Sequence, residues 1–301
     1  MHTPVLLFAA ACALLLAACG SGGGEDGRPV VVATTTQAAD LARAVAGDHA
    51  RVRGVLAPNS DPHDYEVRPG DVKALTRARL VVRSGGDLDG WLGGAIDSAG
   101  ADAPVLDLLG AAGAEGGDPH WWQDPRRAER AVQAIGTALG KADPAHAGIY
   151  AANARREVRR LRALDVAVRG CLGQIPPAGR VLVTTHDALG YYARRYGLRV
   201  VGTVIPSLST QAQASSGDLA KLVDTIRRER VRAIFAESSV NASVEDAIAQ
   251  ETGARVGRPL WADSLGPAGS SGATYEGSIR ANTAAIVEGL SGGAKTCSFP
   301  R

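Results

Sequence analysis

DPAHAGIYAANARREVRRLRALDVAVRGC, residues Asp143 to Cys171, decides the fold. Asp143 can serve as an N-cap and Pro144 fits the first helical position, while Pro176-Pro177 bar continuation beyond the far end. The stretch therefore reads as one uninterrupted helix. At about 1.5 Å per residue it is roughly 40 Å long, enough to run the length of two lobes. The run Arg155-Arg156-Glu157-Val158-Arg159-Arg160 inside it reads as a solvated helix face.

Working outward, both flanks alternate between β-rich and helical runs. Before the helix, strands are expected at Val30–Thr34, Val52–Leu56, Leu80–Arg83 and Val105–Leu108, with helices at Ala38–Ala46, Pro69–Ala78 and Leu88–Ala99. After it, strands are expected at Val181–Thr185, Val200–Val204, Ala233–Glu237 and Val256–Trp261, with helices near 187–196, 216–229, 243–252 and 274–290. Such alternation is the signature of buried parallel sheets. The fold class is thus α/β, two similar parallel-sheet lobes joined by one long rigid backbone helix. The expected divisions are a lipoprotein signal peptide at 1–18, a flexible tether at 19–28, an N-terminal lobe at 29–142, the linking helix at 143–171 and a C-terminal lobe at 172–301.

The apolar run from Val5 to Ala17 is too short to span a bilayer and leads into Leu16-Ala17-Ala18-Cys19-Gly20, a lipobox-like cleavage site. It is atypical in that Met1-His2-Thr3-Pro4 carries no Lys or Arg. Cys19 is the expected lipid attachment point, and the glycine-rich stretch after it suits a tether holding a domain off a membrane. The alternative is an ordinary signal peptide with Cys19 incidental. Gly22, Gly24 and Gly27 spell GxGxxG but precede the first strand, which excludes a nucleotide site. A formal net charge of +2 over 301 residues gives no nucleic-acid footprint. Of four cysteines, Cys12 leaves with the signal and Cys19 is used for lipid, which leaves Cys171 and Cys297. In an exported chain that pair suggests a disulfide, the alternative being two free thiols.

Three histidines sit in related settings: Asp61-Pro62-His63-Asp64, Asp118-Pro119-His120-Trp121 and Thr184-Thr185-His186-Asp187. A fourth candidate donor is Asp263 in Trp261-Ala262-Asp263-Ser264. Imidazoles and a carboxylate are the usual donors for Zn²⁺, and a ligating ring needs an acid or carbonyl to fix its tautomer. Glu237 and Asp187 are the candidates for that supporting role or for alternative ligation. His186 and Asp263 follow expected strands, His63 lies in the loop after Val52–Leu56, and His120 opens the segment entering the Asp124-Pro125 helix start. Open parallel sheets form their sites outside the strands' carboxyl ends, so two donors from each lobe are expected to meet in the cleft. Tyr65, Trp121, Trp122 and Trp261 lie close to these donors in sequence, as a dry wall around a metal or as ordinary core. Each imidazole must be neutral to bind, so affinity is expected to fall as pH drops through about 6.5.

In the order and context of these motifs the chain resembles the zinc/manganese-binding lipoproteins that serve as substrate-binding subunits of metal-uptake ABC transporters. The residues that carry the likeness are Asp61-Pro62-His63-Asp64-Tyr65-Glu66, Asp118-Pro119-His120-Trp121-Trp122-Gln123-Asp124-Pro125, His186-Asp187-Ala188-Leu189-Gly190-Tyr191, Phe235-Ala236-Glu237-Ser238 and Asp263-Ser264-Leu265-Gly266 with Thr274-Tyr275. The resemblance implies a rigid helix bridging two lobes, the ion held by His63, His120, His186 and Asp263, and delivery to a permease served by a separate ATPase. No Walker motif occurs in this chain. It further implies a monomer on the outer side of the cell membrane and no enzymatic activity. Three nitrogens and one carboxylate favour Zn²⁺, with Mn²⁺ the alternative. The rival class is a secreted zinc hydrolase that uses the same histidines with Glu237 or Asp263 as base, although no HExxH or Ser/His/Asp arrangement supports it. A metal-dependent surface adhesin would share the site.

Overall fold

Val31, Val32 and Ala33 have almost no exposure, so the first strand is the centre of a sheet covered on both faces. The computed structural model describes residues 27–299. Its first lobe contains β1 (Val30–Ala33), α1 (Thr36–Ala46), β2 (Arg51–Gly54), α2 (Pro69–Leu75), β3 (Ala78–Arg83), α3 (Leu92–Ala99), β4 (Val105–Asp107), α4 (Leu108–Ala111) and α5 (Pro125–Ala142). The strands are all parallel, in the order β2-β1-β3-β4. Local chemistry sets the helix starts: Thr35 accepts the Ala38 N–H at 3.3 Å to cap α1. Asp124 accepts the Arg126 N–H at 2.8 Å and Pro125 opens α5.

The linking helix α6 spans Ala147–Leu172. It begins one turn later than its sequence suggests, because Pro144–His146 form a 3₁₀ turn. Asp143 makes no cap with its side chain; its carboxylate instead receives the Tyr150 hydroxyl at 2.7 Å and faces His146 Nδ1 at 2.8 Å. Buried positions 150, 153, 154, 157, 158, 161, 164, 165, 168, 171 and 172 form a helical stripe. Arg155, Arg156, Arg159 and Arg160 are exposed between them. The polar Asp165 in that stripe is matched by Arg195 at 2.6 and 2.9 Å and by the Tyr196 hydroxyl at 3.0 Å.

The second lobe contains β5 (Val181–Thr184), α7 (Gly190–Tyr196), β6 (Arg199–Thr203), α8 (Ser216–Glu229), β7 (Ala233–Ile234), α9 (Ser243–Thr252), β8 (Arg255–Val256) and α10 (Tyr275–Ser291). Parallel pairs β5-β6 and β7-β8 are joined by a parallel bridge between Thr184 and Phe235. The resulting order β6-β5-β7-β8 repeats that of the first lobe. The last two strands are shorter than expected. Pro259 has no N–H to donate, so pairing lapses after Val256 and resumes only at the Glu237–Leu260 bridge.

One apolar core runs from Val31 and Leu41 through Leu161 and Leu164 of α6 to Leu182 and Ile286, so the helix is shared by both lobes. Helix α10 returns from the second lobe, and its Tyr275 N–H reaches Asp40 of α1 at 2.8 Å. Cys171 and Cys297 are joined by a disulfide with Cα atoms 5.6 Å apart, pinning the C-terminal tail to the end of α6. The carboxyl ends of the strands in both lobes face one cleft.

Candidate metal centre

His63 follows β2 in a 3₁₀ turn, Pro62–Asp64, which Asp61 starts by accepting the His63 N–H at 2.9 Å. His120 is placed by the same tripeptide, with Asp118 accepting its N–H at 3.0 Å, and this carboxylate also takes His120 Nδ1 at 2.8 Å. From the second lobe, His186 lies two residues beyond β5, its carbonyl held by the Thr184 hydroxyl at 2.8 Å. Glu237 receives His186 Nδ1 at 2.6 Å and its N–H at 3.2 Å. Asp263 follows the bridge at Leu260. Its loop is locked through the Ala262 carbonyl, which accepts from Trp122 Nε1 at 2.9 Å and Gln123 Nε2 at 2.8 Å.

These placements bring four donors together. Asp263 Oδ2 is 3.1 Å from both His63 Nε2 and His186 Nε2, Oδ1 is 3.5 Å from His120 Nε2, and the Nε2 atoms of His120 and His186 are 3.3 Å apart. One donor atom from each of the four lies within 4.8 Å of all the others. The side chains of His120, His186 and Asp263 have no exposure and that of His63 has 4%. His63 Nε2 and both oxygens of Asp263 are buried without a well-aligned hydrogen bond, their near neighbours being the other donors of the cluster. Unpaired polar atoms at such depth are costly unless a cation satisfies them, so the residues present fit a metal ion.

The electrostatics are those of a site built around positive charge. Burial alone would strip the proton from His186, but Asp263 at one nitrogen and Glu237 at the other raise its pKa to about 11. Burial likewise opposes ionisation of Asp263, yet His186 and His120 hold its carboxyl well below the ordinary range. Glu237 is pushed upward by burial, against the pull of His186. The two carboxylates thus favour positive charge at His186.

Not every expected supporting residue takes part. Asp187 is exposed, and its backbone N–H bonds the Ser207 carbonyl at 3.0 Å. It does not reach the site, because the chain turns outward directly after His186 and leaves Nδ1 to Glu237. Among the nearby aromatics, Trp122 walls the centre with its ring edge-on to His120 at 5.4 Å. Trp121 donates to the Ser84 carbonyl at 3.1 Å, Tyr65 packs on Trp91 at 5.1 Å and bonds Asp71, and Trp261 donates to Ser271 at 3.2 Å. Those three are packing residues. Thr210 carries no sequence signal, since it acts through a contact 149 residues away. Gln123 stands in a motif of the likeness, but its role at the Ala262 carbonyl is visible only in the fold. Cys19 and the signal segment lie outside the described residues.

The chain is similar to known metal-binding proteins. The chain is 35% identical over 269 residues to the manganese-binding lipoprotein MntA of Bacillus subtilis (strain 168), covering 85% of this chain and 87% of that one. It is 31% identical over 259 residues to the iron-binding protein YfeA of Yersinia pestis, covering 83% of each. The solved structure of the periplasmic zinc-binding protein TroA from Treponema pallidum superposes with a TM-score of 0.81 at 30% identity, covering 88% of this chain and 99% of that one. Residues 31–289 match the family described as zinc-uptake complex component A, periplasmic, and the chain belongs to that family of metal-uptake components, which are not enzymes.

Proposed function

We propose that the protein captures Zn²⁺ between its lobes through His63, His120, His186 and Asp263 and delivers it to an ABC permease driven by a separate ATPase subunit. One observation carries this reading: three imidazole nitrogens and a carboxylate converge, buried and short of hydrogen-bond partners, from the strand ends of two lobes. Donors about 2.0 to 2.1 Å from a tetrahedral ion stand roughly 3.3 Å apart. Four of the contacts among these groups are 3.1 to 3.5 Å, and all four donors lie within 4.8 Å of one another, which leaves room for an ion between them. A shell closed by four protein donors suits holding an ion, whereas hydrolysis needs an open position and a free base. Glu237, the nearest spare carboxylate, is occupied with His186.

Mn²⁺ is the second reading, supported by the name of the B. subtilis relative. The lipoprotein names among the relatives support an anchor at Cys19, on the outer side of the membrane; a monomer remains part of the same proposal. No helix among the described residues is long and apolar enough to cross a membrane. Competitive titration with Zn²⁺ and Mn²⁺ tests the ion: wild type is expected to prefer Zn²⁺, and His186→Glu to shift the ratio toward Mn²⁺ by replacing a nitrogen with a harder oxygen. An unchanged ratio would remove His186 from the ligand set.

A further inference from the structure

The two ligands of the first lobe are held to the second lobe in different ways. Next to His120, the Tyr191 hydroxyl of α7 donates to the Glu115 carbonyl at 3.0 Å and accepts the Glu115 N–H at 2.9 Å. The guanidinium groups of Arg127 and Arg194 stack on the Tyr191 ring at 4.3 and 4.5 Å. With Trp122 and Gln123 bonded to the Ala262 carbonyl, that side of the cleft is a packed, buried junction.

The turn that carries His63 has no such packing. Residues 57–59 are exposed, and within the turn only Pro62 is fully buried. Three hydrogen bonds tie it across the cleft. Asn59 donates its N–H to the Leu265 carbonyl at 2.8 Å and its Nδ2 to the Ser238 carbonyl at 3.1 Å, while the Thr210 hydroxyl donates to Asp61 Oδ2 at 2.6 Å. Asn59 holds φ of 60°, a left-handed conformation that asparagine tolerates, and this aims its backbone and side chain at the same neighbouring lobe. The contacted segments are chemically pointed ones: Leu265 lies two residues after Asp263, and Ser238 directly follows Glu237.

We propose that Thr210 and Asn59 form a cross-cleft strap that presses the His63 turn onto the ion and sets how fast the ion leaves. The inference rests on the metal-binding reading of the centre. Asp61 is its pivot. One carboxylate oxygen fixes the His63 backbone and the other is fixed by Thr210, so the turn is fully defined only while the lobes are closed. Thr210 is a positioning residue in this scheme: its hydroxyl acts on the ion through Asp61 and His63. Opening the strap uncovers the donor with the least burial, and departure of one ligand leaves three to release the rest.

The test is stopped-flow release of Zn²⁺ from the loaded full chain into excess chelator. Thr210→Val keeps the shape and removes the donor, and is expected to release the ion about tenfold faster. Thr210→Ser, which restores the hydroxyl, should return the rate to that of wild type. Asn59→Gly keeps the positive φ and the backbone bond but loses the Ser238 contact, with an expected acceleration of about threefold. Binding uses the same opening, so association also quickens and equilibrium affinity changes less than the release rate. A Thr210→Val chain that releases at the wild-type rate, or a Thr210→Ser chain that is as fast as Thr210→Val, overturns the strap while leaving the metal centre intact. A wild-type chain that retains no Zn²⁺ overturns the metal-binding reading itself, and the strap with it.

Discussion

Asp61-Pro62-His63 and Asp118-Pro119-His120 are the same tripeptide with different outcomes. In both, the aspartate accepts the histidine N–H two residues on and the proline sets the turn. Asp118 then spends the same oxygen on the ring of its own histidine, whereas Asp61 turns its second oxygen to Thr210 in the other lobe. The ring of His120 is therefore oriented by the aspartate of its own tripeptide, whereas the aspartate of the His63 tripeptide is itself held from across the cleft. Local sequence builds a ligand-bearing turn; tertiary surroundings decide whether that turn is a fixed post or a moving one.

The largest expected effect is on the fixed post. His120→Ala removes a donor and leaves Asp118 and Asp263 facing a buried void, so Zn²⁺ affinity should fall by more than the 10- to 100-fold typical of supporting residues, to about a thousandfold or beyond. Competition against a chelator of known affinity measures it; a loss below tenfold would mean that His120 is not a ligand. Next comes Asp118→Asn, which keeps the turn but weakens orientation of the ring, with an expected loss of about 10- to 100-fold. An effect no larger than that of Thr210→Val on equilibrium affinity would erase the contrast between the two turns.

The pH dependence is next in size, and its window is not the one that free imidazoles suggest. His186 is raised to about 11 in the metal-free protein, so at pH 7 it carries a proton that an incoming ion must displace. Affinity should thus keep rising above pH 6.5, by about tenfold per unit for each proton released, where a site of unperturbed histidines would level off. Calorimetry in buffers of different ionisation enthalpy should find close to one proton or more released per ion at pH 8. The stability of the metal-free chain runs the other way. The contribution of the charged His186 is complete below its unfolded pKa of about 6.5 and is lost as pH rises through about 11. The Asp263 contribution is present above its unfolded value of about 3.9 and is lost as pH falls through its depressed folded one.

The smallest effect on the cleft belongs to the disulfide. Cys297→Ser opens a bridge between residues 126 apart in sequence, which the chain-entropy model values at about 4 to 5 kcal/mol. Thermal unfolding should shift downward under oxidising conditions, while Zn²⁺ affinity changes by less than about twofold. A large affinity loss would show that the tail bears on the lobes' closure.

Much of this was legible before the fold was known. The alternation of strands and helices and the four donors all rest on local pattern. Which acid serves which histidine was only partly readable. All three histidines have an aspartate adjacent or two residues away, yet only Asp118 touches its ring; Asp61 is drawn away by Thr210, and Asp187 faces solvent while Glu237, 51 residues on, takes the place beside His186. Sequence neighbours supply candidates, but the strand end fixes the direction of the side chain. The 3₁₀ start of the linking helix was hidden for a similar reason. The Asp143 carboxylate is captured by Tyr150 and His146 and so does not cap.

Asn59 and Pro58 lie at the surface, in the turn that leads to His63, whose side chain is itself only 4% exposed. A turn fastened from across the cleft therefore displays, on the outside, the state of an atom that nothing outside can touch. If the strap acts as proposed, a partner that read residues 57–61 in their fastened shape would read the closed cleft from outside.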